Sequence, residues 1–143
     1  MTFSTLPLNC LDDVRVAGKR VLVRVDHNVP LTDDGGIRDD ERIVRTLDTF
    51  RELVSHGARI LVLSHLGYPN GTYVPALSTR LLADHLGKLL NTRVQHHAER
   101  SPQDAKEAAG RIMPGEILYF ENTRFWPGEK ADQSDLAAIC ASG

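Results

Sequence analysis

Short runs of β-branched and leucine residues constrain the fold of this chain more than any other feature of the sequence. Two of them are residues 21–25 (VLVRV) and residues 60–63 (ILVL), and both end at polar residues. Such runs are typical of strands that are buried on both faces of a parallel sheet. Between them, apolar residues recur at the three- and four-residue spacing of one helix face: Ile43, Leu47, Phe50 and Val54. A helix stop follows at His56-Gly57, so this segment predicts one β-α-β unit.

The same alternation continues toward the carboxyl end of the chain. Ser78 is a candidate cap for a second helix, whose inward residues follow helical spacing: Leu81, Leu82, His85, Leu86 and Leu89. A strand is predicted at residues 93–96, then a helix that begins at Pro102, and then a strand at residues 116–120. A last helix is predicted from about Gln133, with three residues turned inward: Leu136, Ile139 and Cys140.

Strands and helices in this order predict a three-layer α/β/α fold with a parallel sheet. The chain ends directly after the last helix, where the alternation calls for a further strand. We therefore expect residues 1–143 to form an incomplete domain.

Composition excludes several classes of function. The net charge is −2 with both signs mixed along the chain, whereas binding to nucleic acid needs a basic stripe. The apolar runs fall far short of the roughly 20 residues of a membrane span, and no signal-peptide pattern begins the chain, so we expect a cytoplasmic protein. Cys10 and Cys140 lack metal-site spacing, and the neighbours His96 and His97 point to opposite faces of a strand, so we expect no metal site.

Polar side chains follow three of the predicted strands, at the point where each strand ends. Because ligands of open parallel sheets bind outside the carboxyl ends of the strands, these residues are the candidate site. They are Asp26, His27 and Asn28, then residues 64–68 (SHLGY), then residues 121–125 (ENTRF). Amide, imidazole and guanidinium donors suit a small anion. Asp26 would then bind a ligand hydroxyl or orient an arginine; alternatively, Asp26 and Asn28 only shape the turn before Pro30.

Arg42 falls in the first turn of the first predicted helix, where the helix dipole opposes a cation. An anionic ligand would explain its position, and an ion pair with Asp39 or Glu41 is the alternative. No phosphate-cradling glycine loop of the Walker or dinucleotide type occurs, so this stretch offers no nucleotide site.

Four segments in register resemble the N-terminal signatures of the phosphoglycerate kinase family. They are residues 18–30 (GKRVLVRVDHNVP), 39–43 (DDERI), 64–69 (SHLGYP) and 121–125 (ENTRF). The resemblance implies the Rossmann-like N-terminal lobe of that enzyme, which binds the acid substrate, while a C-terminal lobe absent from this chain binds the nucleotide. The implied reaction is glycolytic transfer of a phosphoryl group between 1,3-bisphosphoglycerate and ADP, giving 3-phosphoglycerate and ATP, with Mg²⁺. We expect neither the metal ion nor the nucleotide to bind this chain specifically.

The resemblance also implies roles for single residues. Asp26 and Asn28 would hold the hydroxyl and carboxyl region of the ligand, and His65 and Arg124 its phosphate. Arg42 matches the arginine that contacts the phosphoryl group in flight, which makes it the catalytic candidate. Tyr68 stands where the family has an arginine, and loss of a buried charged bond there would cost about 1.5 to 3 kcal/mol.

Two further features bear on the whole chain. His27 replaces the usual phenylalanine of the family, which suggests a packing change or a pH dependence beside Asp26. The family enzyme is a monomer, and its first strand lies inside the sheet; in this chain residues 21–25 would form an exposed edge that favours self-association and poor solubility.

Three functions remain open at this point. The first is the acid-substrate part of a phosphoglycerate kinase, inactive alone. The second is a short, non-catalytic relative that serves as an anion-binding or interaction module, as Tyr68 suggests. The third is an unrelated doubly wound binding domain, which explains the alternation but none of the four motifs.

Overall fold

The computed structural model describes residues 9–98 and 102–126. Their centre is a parallel sheet of four strands in the order β1-β2-β4-β3. The strands are β1 (Arg20–Arg24), β2 (Arg59–Leu63), β3 (Val94–His97) and β4 (Ile117–Phe120). The helices are α1 (Glu41–Val44), α2 (Leu47–Ser55), α3 (Arg80–Leu90) and α4 (Pro102–Arg111). All four predicted strands are confirmed, with bounds that differ by one residue.

Two apolar clusters on opposite faces of the sheet make the three layers. On one face α2 and α3 pack against the sheet through buried side chains such as Phe50, Leu53 and Leu86. On the other face Ala105 and Ala109 of α4 pack against the sheet. Because β2 and β4 are covered on both sides, residues 60–63 of β2 and all of β4 are buried and carry continuous apolar sequence. The α/β fold class expected from the sequence is confirmed.

The first helical region differs from its prediction. The sequence indicates one continuous helix, but the chain forms α1 and α2 with a break at Arg45 and Thr46. The hydroxyl of Thr46 donates to the carbonyl of Ile43 at 2.7 Å, and such a side-chain bond competes with the helical hydrogen bonds of the backbone. The inward face of α2 also differs, since Leu53 is fully buried whereas Val54 is only half-buried.

The start of α3 shows why a rim carboxylate is buried. Thr79 precedes the helix, one residue after the expected cap Ser78. Glu121, which follows β4, accepts from the backbone N–H of Thr79 at 2.9 Å and from the hydroxyl of Ser78 at 2.8 Å. Its side chain is therefore used to fix the helix start, as expected of an anion near a helix N-terminus.

Some sequence predictions lie outside the described residues. These are the helix from about Gln133 and the inward position of Cys140. Within the described residues no helix is long and apolar enough to cross a membrane.

Candidate functional site

The sheet order brings the three polar strand ends together. Strands β1, β2 and β4 are direct neighbours in the sheet and run parallel, so their carboxyl ends meet at one edge. The residues predicted for the site follow these ends, and α1 stands beside them: Asp26, Asn28, Arg42, His65, Tyr68 and Arg124. A chain of direct contacts, described next, joins Asp26, Asn28, Arg42, Tyr68 and Arg124.

Asp26 and Arg42 form the first part of this rim. Arg42 Nη1 lies 2.7 Å from Asp26 Oδ2. The alternative of an ion pair with Asp39 or Glu41 is wrong: Asp39 accepts from the backbone N–H of Glu41, and Glu41 pairs with Arg45. Asp26 therefore orients an arginine, one of the two roles expected for it.

The neighbours of Asp26 stabilise its negative charge. Partial burial alone would raise the pKa of Asp26, but the backbone N–H of Asn28, the guanidinium of Arg42 and the nearby imidazole of His65 together hold that pKa below its ordinary value. Asp26 is thus a hydrogen-bond acceptor at neutral pH.

Gly67 joins the second part of the rim. Its backbone N–H donates to Asn28 Oδ1 at 2.9 Å, and its carbonyl accepts from Arg124 Nη1 at 2.9 Å. Asn28 is linked back to Asp26 through its backbone N–H at 3.2 Å. One backbone position between β2 and α3 thereby sets the spacing between an amide from the β1 end and a guanidinium from the β4 end.

Tyr68 packs on Arg124 instead of adding a charge. The guanidinium carbon of Arg124 lies 4.6 Å from the centroid of the Tyr68 ring, within the range of a cation–π contact. The tyrosine side of this pair is open to solvent, since Tyr68 is 75% exposed. The aromatic residue therefore supports the neighbouring cation.

Asn122 is a site residue whose role the motif reading did not assign. It is fully buried, and its Nδ2 donates to the carbonyls of Leu66 at 2.7 Å and Leu77 at 2.8 Å. Its Oδ1 accepts from the backbone N–H of Arg124 at 3.1 Å. Asn122 thus holds both ends of the loop that carries Gly67 and Tyr68. The signal in the sequence was a neutral amide two residues after a buried strand and two residues before Arg124.

The rim suits a small organic anion with a hydroxyl group. Arg42 and Arg124 offer planar donor forks that match carboxylate and phosphate oxygens, and Asp26 offers an acceptor to a hydroxyl. The Asn28 Nδ2 makes no hydrogen bond among the described residues and can serve a ligand oxygen. Because the Arg42 and Asp26 side chains are 54% and 63% exposed, their pair is worth only about 0 to 1 kcal/mol, and a ligand can replace it.

A divalent metal ion does not fit these residues. Across residues 9–98 and 102–126, no group of three or more histidine, cysteine, aspartate or glutamate side chains is arranged to hold one. Asp26 already pairs with a guanidinium. We therefore assign no chemical step on this rim to a metal ion.

Comparison with known proteins agrees with the motifs. The phosphoglycerate kinase family model matches residues 11–142. Phosphoglycerate kinase of Salinibacter ruber is 42% identical over 136 residues, which cover 92% of this chain and 34% of the relative. That of Rhizobium meliloti is 42% identical over 145 residues, which cover 100% of this chain and 35% of the relative.

The fold agrees as well. The crystal structure of phosphoglycerate kinase from Pyrococcus horikoshii matches with a TM-score of 0.72 and 33% identity over 80% of this chain and 28% of that one. The structure from Coxiella burnetii matches with a TM-score of 0.76 and 33% identity over 93% of this chain and 32% of that one. The chain thus spans about a third of the length of the curated relatives it matches. With the family model matching nearly all of it, this chain belongs to the phosphoglycerate kinase family.

Proposed function

We propose that this chain is the acid-substrate-binding part of a phosphoglycerate kinase and corresponds to part of the N-terminal lobe. Its ligand is 3-phosphoglycerate or 1,3-bisphosphoglycerate, in the cytoplasmic transfer of a phosphoryl group to and from ADP. The observation that carries the proposal is the unbroken chain of contacts from Arg42 through Asp26, Asn28 and Gly67 to Arg124. It joins all three strand ends that the family motifs supply.

The chemistry of the ligand matches the groups along this rim. Asp26 accepts from the ligand hydroxyl, and Asn28 donates to its carboxylate region. Arg124 and His65 hold the phosphate, where a guanidinium fork and an imidazole neutralise its charge. Tyr68 contributes no charge of its own and keeps the Arg124 guanidinium stacked over its ring.

Arg42 is the catalytic residue of this proposal. Arg42 leaves Asp26 when the acyl phosphate is bound and contacts the phosphoryl group during its transfer. Its guanidinium then neutralises the negative charge on the phosphoryl oxygens in the transition state. In the whole enzyme the nucleotide, bound by the other lobe, would accept or donate the phosphoryl group, and Mg²⁺ would neutralise charge on its phosphates. The residues of this chain bind and orient the glycerate and neutralise charge, and we do not expect them to catalyse alone.

Calorimetric titration of 3-phosphoglycerate into the purified chain tests this function. We expect saturable binding with one site. Arg42→Ala and Arg124→Ala each weaken it by about tenfold or more, because each removes a charge-assisted hydrogen bond. Tyr68→Arg tightens it by restoring a guanidinium at this position. Arg42→Lys does not restore full affinity, since a lysine lacks the planar fork.

Arg45→Ala is the matched control, because Arg45 is an exposed arginine next to α1 that pairs only with Glu41 among the described residues. It is expected to bind 3-phosphoglycerate like the parent. A folded chain that fails to bind contradicts the proposal and leaves the alternative of an interaction module. Binding that Arg42→Ala and Arg45→Ala weaken equally would show only a general effect of charge.

A further inference from the structure

A histidine lies beneath the rim, and both of its ring nitrogens are bonded. This residue is His27, which stands between Asp26 and Asn28 in the sequence and is fully buried in the structure. Its Nδ1 lies 2.9 Å from the hydroxyl of Tyr119 in β4, and its Nε2 lies 3.0 Å from the hydroxyl of Thr46 between α1 and α2. Its backbone N–H donates to Ser64 Oγ at 3.1 Å.

Counting protons assigns the tautomer of this ring. The Thr46 hydroxyl has one proton and donates it to the carbonyl of Ile43 at 2.7 Å, so it accepts from His27 Nε2–H. In a neutral ring Nδ1 is then an acceptor, and the Tyr119 hydroxyl donates to it. Ser64 Oγ accepts from the backbone N–H of His27 and donates to the carbonyl of His65 at 3.3 Å. The two side-chain bonds of Thr46, to the carbonyl of Ile43 and to the ring, are made together only when Nε2 carries a proton.

The network ends at the segments that carry the rim. Ser64 directly precedes His65, and Ile43 directly follows Arg42. His27 itself separates Asp26 from Asn28, so its position fixes the backbone of both. His27 therefore ties the end of β1 to the end of β2 through its backbone N–H, and to β4 and the end of α1 through its ring. Arg42 meets Asp26 at the surface above it.

We propose that His27 is a positioning residue of the acid-substrate site, which acts through Thr46, Tyr119 and Ser64 to hold Arg42 and Asp26 at their contact distance. This inference rests on the proposed function for its ligand. His27 does not touch the substrate. A phenylalanine at this position could only pack, whereas His27 also makes directional hydrogen bonds. The geometry of the rim should therefore depend on hydroxyl groups that no ligand contacts.

The first test needs no ligand. Nitrogen-15 NMR of histidine-labelled chain, with the His27 signals assigned by their loss in His27→Phe, should show Nε2 protonated and Nδ1 bare at neutral pH. A Nδ1–H tautomer at neutral pH would overturn the proposal, because the Thr46 hydroxyl would then have to donate to Nε2 and give up the carbonyl of Ile43. A charged ring at neutral pH would overturn it as well, because Tyr119 could then no longer donate to Nδ1.

The second test removes the hydroxyl group of Thr46 and keeps the shape of the side chain. Thr46→Val deletes the acceptor of His27 Nε2–H, Thr46→Ser keeps it, and Thr49→Val repeats the same change at an exposed position of α2. At a temperature where circular dichroism shows every variant folded, Thr46→Val should bind 3-phosphoglycerate about threefold to tenfold more weakly. Thr46→Ser and Thr49→Val should bind like the parent.

A carboxyl NMR titration of Asp26 separates this proposal from the proposed function. In Thr46→Val the pKa of Asp26 should rise toward its ordinary value, because Arg42 no longer stands against it; Thr49→Val should leave it unchanged. If the parent does not bind 3-phosphoglycerate but the pKa responds, the function fails and the positioning role stands. An unchanged pKa of Asp26 in Thr46→Val overturns the positioning role, as does parent-like affinity when the parent binds.

Discussion

The imidazole of His27 packs between the rings of Phe50 and Tyr119, at centroid distances of 6.3 and 6.0 Å. Burial lowers the pKa of His27 to about 4, although the carboxylate of Asp26 opposes this change. The ring therefore stays neutral in the folded chain at neutral pH. Its charge is not available to a substrate, which agrees with a positioning role.

This neutral ring makes stability fall in acid. The unfolded chain takes up a proton at His27 near pH 6.5 and the folded chain only near pH 4, so between these values the unfolded state binds more protons. The free energy of unfolding should therefore decrease as pH falls through this window, by up to about 3 kcal/mol from His27 alone. Urea unfolding at several pH values measures it.

His27→Phe is the control for this prediction. His96, whose pKa burial also lowers, adds its own loss of stability to the parent and to the variant alike. The comparison is therefore between slopes: from pH 6.5 to pH 4 the variant should lose less stability than the parent. Equal slopes would contradict a neutral buried His27, whatever the absolute stabilities.

At the scale of secondary structure, strands were easier to predict than helix breaks and contacts. Strands β2 and β4 are buried on both faces, so their composition alone identifies them. The break between α1 and α2 has no glycine or proline to announce it; it depends on Thr46, whose partner His27 is 19 positions away in the sequence. Motif order predicted which residues belong to the rim, but pairing of Arg42 with Asp26 required the three-dimensional arrangement.

The loop after β2 gives a prediction at this scale. Gly67 has φ +61°, a left-handed conformation that glycine tolerates best, and an added Cβ would lie 2.8 Å from a methyl carbon of Leu77. Gly67→Ala should cost about 2 kcal/mol or more in the free energy of unfolding, from strain and forced movement of Leu77. Since Gly67 joins Asn28 to Arg124, affinity for 3-phosphoglycerate should fall as well.

Gly110→Ala is the matched control, because a Cβ at this position in α4 meets no atom within 4 Å. It should stabilise the chain by about 0.5 to 1 kcal/mol through helix propensity and leave affinity unchanged. Urea unfolding and the calorimetric titration are the two measurements. Parent-like stability and affinity of Gly67→Ala would show that the loop relaxes around the added methyl group at no cost.

Across the whole molecule, the parallel topology explains why a site could be predicted from sequence at all. Three strand ends are adjacent because β1, β2 and β4 are consecutive in a parallel sheet. The same order leaves β1 paired on one side only among the described residues. The order of the strands therefore explains both the candidate site at their carboxyl ends and the exposed edge at β1.

The backbone bonds show which groups of β1 face this edge. Val25 N donates to the carbonyl of Leu63, and Arg59 N donates to the carbonyl of Lys19, so the odd-numbered positions of β1 face β2. Because neighbouring residues of a strand alternate in direction, Leu22 and its even-numbered neighbours Arg20 and Arg24 direct their amide groups outward. Outward-facing amides on an edge strand rich in valine and leucine form a template for pairing with another chain.

We therefore expect this chain to self-associate through β1 as its concentration rises, which sedimentation velocity measures directly. Leu22→Pro removes one outward N–H without touching a bond to β2, and proline is tolerated at sheet edges, so it should shift the distribution toward the monomer. Leu22→Ala loses the same apolar side chain but keeps the N–H, and it should associate more than Leu22→Pro. A sharply melting monomer at all concentrations, or equal behaviour of the two variants, would contradict association through this edge, since only its backbone groups distinguish them.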